Sequence, residues 1–246
     1  MKIRPVIDVH SVKVSCGSCS LSELCLPRGL NDEELERLDN AVQHKQKLER
    51  GDHLFRAGEP LRAVYAVRSG SLKTTLSTSD GAEQVTGFHL AGELVGLDGF
   101  GSGEHGCNAQ ALESATVCEL PYQDFEELCG QLSGLRRQVM HLVGKEITQD
   151  HRMLLALGKM AAEERLATFL LSLSQRYRER GFSATEFNLS MPRHDLANYL
   201  GLAVETVSRL FSRLQDEGLV EVQRRSIHIR DLDGLRRLAH DECSPD

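Results

Sequence analysis

The stretch "CGSCSLSELC" places Cys16, Cys19 and Cys25 within ten residues at the spacing C-x2-C-x5-C. Thiols clustered in this way can form a disulfide, hold a metal or react as thiolates. Three sulfurs cannot pair off among themselves. A metal centre would need a fourth ligand, and Cys107, Cys118, Cys129 and Cys243 are the candidates. Four cysteines suit zinc as well as a [4Fe–4S] cluster. Only one C-x2-C is present where paired knuckles would favour zinc, and the spacing leaves both occupants open.

A second group of residues suggests base recognition. In "MPRHDLANYLGLAVETVSRLFSRLQDEGLV" a first helix, Arg193 to Leu200, buries Leu196, Ala197 and Leu200. Gly201-Leu202-Ala203 makes a short turn, and a second helix runs from Val204 to Gln215. The second helix turns Val207, Leu210, Phe211 and Leu214 inward and Glu205, Ser208, Arg209 and Ser212 outward. In a major groove a carboxylate can accept from cytosine N4 and an arginine can bridge guanine O6 and N7. Beyond Gly218, "LVEV" and "SIHIR" alternate around Gln223-Arg224-Arg225, a hairpin whose arginines suit phosphate contact. Ala203 stands where an N-cap Ser or Thr is expected, a loss of about 1 kcal/mol that packing must offset.

Other elements must position these groups. "LNDEELERLDNAVQ" reads as a helix capped by Asn31, with Leu35, Leu38 and Val42 as its apolar stripe. From Glu49 to Tyr122, short alternating runs broken by glycines predict an all-β roll, and Asp80-Gly81 marks a hairpin. Helical periodicity follows to Leu157, with breaks expected at Gly130 and Gly134. Met140, Val143, Ile147, Asp150, Leu154 and Leu157 form a heptad seam about three heptads long. Such a stripe could pack on its own β domain; the DNA motif favours a dimer helix. "AAEERLATFLLSLSQRY" is a further amphipathic helix, followed by a loop and a short strand.

The 246 residues suffice for one large or two ordinary domains. No run of eighteen apolar residues and no secretory h-region is present, which predicts a cytoplasmic protein that does not enter the membrane. Disulfides rarely persist in that compartment, so metal binding or redox chemistry is the expectation for the cysteine trio. The net charge of −7 requires any nucleic-acid contact to come from a local surface.

These features together resemble the FNR branch of the CRP/FNR superfamily of bacterial transcription regulators. The likeness covers nearly the whole chain. It is carried by the cysteine trio, "FHLAGELVGLD", "TVCELPY", "AEERLATFLLSLS" and "NYLGLAVETVSRL". The resemblance implies an α+β fold: a cyclic-nucleotide-binding-like β roll (jelly roll), a long dimerisation helix and a C-terminal winged helix-turn-helix. The divisions expected are a cysteine segment over 1–29, the roll over 30–122, the dimer helix region over 123–160 and the DNA-binding domain over 161–246. The resemblance also implies a [4Fe–4S] cluster on Cys16, Cys19, Cys25 and Cys118, with Cys107 the runner-up for the fourth ligand. It implies an oxygen-responsive homodimer, mainly an activator of anaerobic genes. By the E-x-x-S-R motif, Glu205, Ser208 and Arg209 would read TTGAT-type half-sites in double-stranded DNA. RNA polymerase is the implied partner, with the loop Ser79 to Glu83 as a contact surface.

The superfamily's cyclic-nucleotide regulators follow "GE" with an arginine that clamps the phosphate. Here Gly92-Glu93 is kept but Gly106 to Ala111, "GCNAQA", has no cation, so no cyclic nucleotide is expected. The cysteine set argues against haem. The alternative is a regulator of the same fold whose cysteines bind zinc or act by thiol redox. An Fe–S enzyme is disfavoured because the chain has no Gly-rich phosphate loop, Ser/His/Asp set or C-x3-C-x2-C motif.

Overall fold

The computed structural model describes residues 15–240. Cys243 lies outside the described residues.

Helix α1 (Asp32–Ala41) starts on a capping box: Asn31 Oδ1 accepts the Glu34 N–H at 2.9 Å, and Glu34 returns the bond to the Asn31 N–H at 3.1 Å. Eight strands follow: β1 (Gln43–Leu48), β2 (His53–Phe55), β3 (Ala63–Ser69), β4 (Ser71–Ser77), β5 (Glu83–Leu90), β6 (Leu94–Val95), β7 (Asn108–Ala111) and β8 (Ala115–Pro121). They form two antiparallel sheets ordered β1-β8-β3-β6 and β2-β7-β4-β5. Leu54, Phe55, Tyr65, Leu72 and Val117 fill the space between the two sheets, and the roll is closed by that core. The Asp80-Gly81 turn joins β4 to β5, as its residue types predict.

Two helices leave the roll, α2 (Tyr122–Gln131) and α3 (Ser133–Lys159). The break between them falls on Leu132, not on Gly130 or Gly134, both of which lie inside helices. Leu132 is extended and buried, and its side chain joins Leu128 and Leu135 in the core under α1. Burial of that leucine outweighs the helix-breaking tendency of the flanking glycines.

Helix α4 (Ala162–Glu179), β9 (Glu186–Asn188), α5 (Arg193–Leu200), α6 (Val204–Asp216), β10 (Val220–Gln223), β11 (Ser226–Ile229) and α7 (Leu232–Leu238) form the last unit. Its sheet is ordered β10-β11-β9. The core of this unit does not stop at the unit's edge. Val85, Phe88, Leu90 and Leu112 of the roll pack in one cluster with Leu166, Leu170, Leu196 and Phe211. Polar bonds reinforce this junction. Lys73 on β4 pairs with Asp195 on α5 at 2.7 Å, and Asn198 donates to the Glu83 carbonyl at 2.7 Å. The helix pair is therefore seated on β5.

Candidate functional site

The cysteine segment folds into two short 3-10 turns, Cys16–Ser18 and Ser22–Leu24, the first capped by Ser15. These turns fix the loop over the β1-β8-β3 sheet. Cys118 lies mid-strand on β8, in register with Lys45 on β1 and Ala66 on β3. One cavity of about 50 Å³ is lined by Cys16, Cys19, Cys25 and Cys118 together with Leu21, Leu26, Val64 and Leu120. Cys107 stands apart, beside β7 in the opposite sheet, and its thiol donates to Asp98 at 3.3 Å. Cys129 is on α2, also outside the cavity.

Burial pushes the Cys16 thiol up to about 12, and the Asp39 carboxylate adds to the effect. Burial likewise pushes Cys25 up to about 12, opposed by a backbone hydrogen bond at Leu26 and helped by Cys118 and Cys19. Free thiolates are therefore disfavoured here, and a metal that binds must displace protons. The donor set fits such a centre: four sulfurs, an apolar wall and no basic side chain among them other than Arg68. Among the described residues no three His, Cys, Asp or Glu side chains stand close enough to ligate one metal ion. A single zinc, with Zn–S near 2.3 Å, would hold its sulfurs about 3.8 Å apart. A cube takes each sulfur on a separate corner and tolerates a wider set.

Two contacts around the loop are not evident in the sequence. Asp39 on α1 accepts the Cys16 N–H at 2.8 Å. Gln138, buried on α3, donates to the Cys25 carbonyl at 3.0 Å. Helical spacing does put Gln138 on the inward face with Leu135 and Val139, so a polar residue on that apolar face was a usable signal.

At the far end, Gly201 takes φ 64°, the left-handed turn conformation that glycine favours, and sets α6 across α5. Ala203 caps α6 without a side-chain bond, as its identity requires. Val207, Leu210, Phe211 and Leu214 are buried, while Glu205, Ser208, Arg209 and Ser212 face outward and are exposed. Arg193 stacks on Phe211 at 3.7 Å, bracing α5 against α6. Arg224 sits at the hairpin tip with φ 57°. Arg225 is engaged within the chain: its guanidinium donates to the carbonyls of Leu189, at 3.0 Å, and Ser190. The expected pair of tip arginines thus divides into one reaching outward and one holding the wing to β9.

On α3, Met140, Ile147 and Leu154 are 61%, 49% and 67% exposed, a row spaced by seven residues on the outer face. Asp150 is exposed between Ile147 and Leu154. Val143 leans on the core of the roll, and Leu157 lies against Gly201. The seam is therefore open along one heptad position and partly occupied along the other.

Residues 164–238 match the Crp-like helix-turn-helix domain, and residues 45–131 match the cyclic nucleotide-binding domain. The chain is 49% identical over 226 residues to the fumarate and nitrate reduction regulatory protein of Escherichia coli strain K12, covering 92% of this chain and 90% of that protein. The Klebsiella oxytoca protein called fumarate nitrate reduction regulatory protein is 48% identical over the same length. Among solved structures, FixK2 from Bradyrhizobium japonicum superposes with a TM-score of 0.74 at 30% identity, covering 80% of this chain and 97% of that one. The c-di-GMP responsive regulator CLP of Xanthomonas campestris shares the fold, with a TM-score of 0.62 at 22% identity over 81% of this chain and 99% of that one.

Proposed function

The chain belongs to the FNR group of CRP/FNR regulators, DNA-binding transcription regulators and not enzymes, and from this we propose that it is an oxygen-responsive homodimer that holds a [4Fe–4S] cluster on Cys16, Cys19, Cys25 and Cys118. The observation that carries the reading is that those four cysteines, from a loop and a distant strand, line one apolar cavity. A bound cluster supplies an oxygen-labile tie between the loop and β8. Around it Asp39 orients Cys16, and Gln138 connects Cys25 to α3. The protein acts in the cytoplasm, and no helix among the described residues is long and apolar enough to cross a membrane.

Cyclic nucleotide is not the effector in this reading. The Gly106 and Cys107 N–H groups, at 2.7 and 3.2 Å, already donate to the Asp98 carboxylate, and Gly106 to Ala111 contains no cation to pair with a phosphate. The exposed loop from Ser79 to Glu83 between β4 and β5 offers a surface to RNA polymerase.

Glu205, Ser208 and Arg209 read TTGAT-type half-sites, with Arg209 on the guanine. Arg209→Ala is expected to cost about 1–3 kcal/mol at the cognate site and to relax preference at that base pair. Binding to a panel of half-site variants checks it; unchanged base preference would assign the reading face elsewhere. Arg224→Ala should weaken binding to all sequences alike and lower the salt slope by about 1. Arg225→Ala should instead loosen β9 against the wing, visible as lower thermal stability before any change in salt slope.

Anaerobic iron and sulfide quantification, with DNA binding before and after air, tests the whole reading. A brown protein that bleaches in air and loses its palindromic site is the expected result. A colourless protein that holds zinc would refute it.

A further inference from the structure

The turn Ala91-Gly92-Glu93 touches the cysteine loop on one side and the DNA-binding unit on the other. Gly92, at φ 91°, lies under the loop: a Cβ built there would meet Leu24 Cβ at 3.0 Å and Leu21 Cβ at 3.7 Å. The loop therefore rests directly on backbone. The Gly92 N–H donates to the Val67 carbonyl at 2.7 Å, and the Val67 N–H to the Glu93 carbonyl at 2.9 Å. Val67 adjoins Ala66, the register partner of Cys118.

One residue further on, the Glu93 side chain points the other way. Its carboxylate accepts from Arg176 Nε at 2.9 Å, from Arg180 Nη2 at 2.6 Å and from the Leu90 N–H at 2.9 Å. Arg176 also donates to the Phe88 carbonyl, and Arg180 to the Ala91 carbonyl at 2.6 Å. Arg176 is buried on the last turn of α4, and Arg180 is the residue that caps the helix C-terminus. The same helix carries Leu166, Leu170 and Leu173 into the core shared with α5 and α6.

We propose that this turn is a latch through which the cysteine loop sets the position of the DNA-binding helices on the roll, with Glu93, Arg176 and Arg180 as positioning residues. The proposal rests on the reading of the loop as a labile metal centre. The carboxylate arms of Arg176 and Arg180 and the Arg180 bond to the Ala91 carbonyl end on the same turn, so moving the turn disturbs them together. Withdrawing one partner leaves a buried charge uncompensated, and such a network is kept or released as a unit rather than stretched. This route runs through the roll to α4 within one protomer. It is separate from the dimer seam of α3.

Hydrogen exchange of the full-length protein, loaded anaerobically and again after air, tests the latch. In the wild type, exchange in residues 88–93 and 173–180 should rise about tenfold on loss of the cluster. In Glu93→Gln those segments should exchange fast in both states, with iron, sulfide and sedimentation as in the wild type and DNA binding weaker by about tenfold. Leu24→Ala, which removes the loop's footing on Gly92, should raise exchange in 173–180 above the wild type in protein as isolated anaerobically, whether or not it holds iron. Unchanged exchange in 173–180 on cluster loss or in Leu24→Ala, or wild-type DNA affinity in a folded Glu93→Gln, would overturn the latch. A protein that takes up no iron refutes the metal-centre reading alone, and the Leu24→Ala comparison then decides the latch by itself.

Discussion

Cys118→Ser should abolish cluster-dependent DNA binding outright, and Cys107→Ser should leave it nearly intact. The two cysteines are eleven positions apart in the sequence, but Cys107 immediately precedes β7 of one sheet and Cys118 lies on β8 of the other. Cys118 opens on the cavity that also receives Cys16, Cys19 and Cys25. Cys107 is 8% exposed, belongs to the interior core and donates a hydrogen bond from its thiol to Asp98. An alcohol is a poor substitute for a thiolate on iron, so serine at position 118 removes one corner ligand and the tie between loop and strand. The same loss is expected for Cys16→Ser, Cys19→Ser and Cys25→Ser, whereas Cys243→Ser should be silent. Iron and sulfide per protomer, measured beside DNA binding, are the readouts. A full cluster in Cys118→Ser with loss in Cys107→Ser would reverse the assignment.

Asp150→Ala should give a dimer that binds DNA without the cluster. The exposed row of Met140, Ile147 and Leu154 is apolar surface that a second copy of α3 would cover. In a parallel pair about a twofold axis Asp150 faces its own copy. At about 5 Å and an effective dielectric near 20 the repulsion is about 3 kcal/mol, reduced by solvent because the side chain is exposed. Partial desolvation raises the Asp150 carboxyl above its ordinary value, opposed by His151, so acidification toward that pKa neutralises the pair and should tighten the dimer. The link to the loop is Gln138, which holds the Cys25 carbonyl two residues before Met140. Release of the loop would free that end of α3, and the like charges would then tip a three-heptad seam toward monomers. Sedimentation of apo Asp150→Ala in air decides the matter. Dissociation as weak-binding as that of the wild-type apoprotein would remove Asp150 from the mechanism.

Local pattern was enough for the elements whose stability depends on near neighbours. Asn31 and Glu34 make a capping box within four residues, Gly201 sets a turn between two helices, and Val207, Leu210, Phe211 and Leu214 repeat at helical spacing on a single face. Each is a short-range contest between backbone geometry and burial, so residue type and spacing decide it. The exposed reading face on α6 follows from the same periodicity.

Features that depend on distant segments were not legible in this way. Spacing offered four candidates for the fourth sulfur, and strand order brings Cys118 to the cavity that the other three line, because β8 runs between β1 and β3. Glu93 looked like the remnant of a ligand clamp, yet two arginines more than eighty residues later enclose it. Arg225 reads as a tip cation, and only the approach of β9 shows its guanidinium tied to backbone carbonyls. The heptad seam was visible in the sequence, but which of its positions stay open depended on the roll covering Val143 and the helix-turn-helix reaching Leu157. The sequence determined the helices, their faces and the inventory of chemical groups, because these follow from periods of two and 3.6 residues. The tertiary structure decided which of those groups meet, because contacts across tens of residues are set by sheet order and core packing, and neither has a local signature.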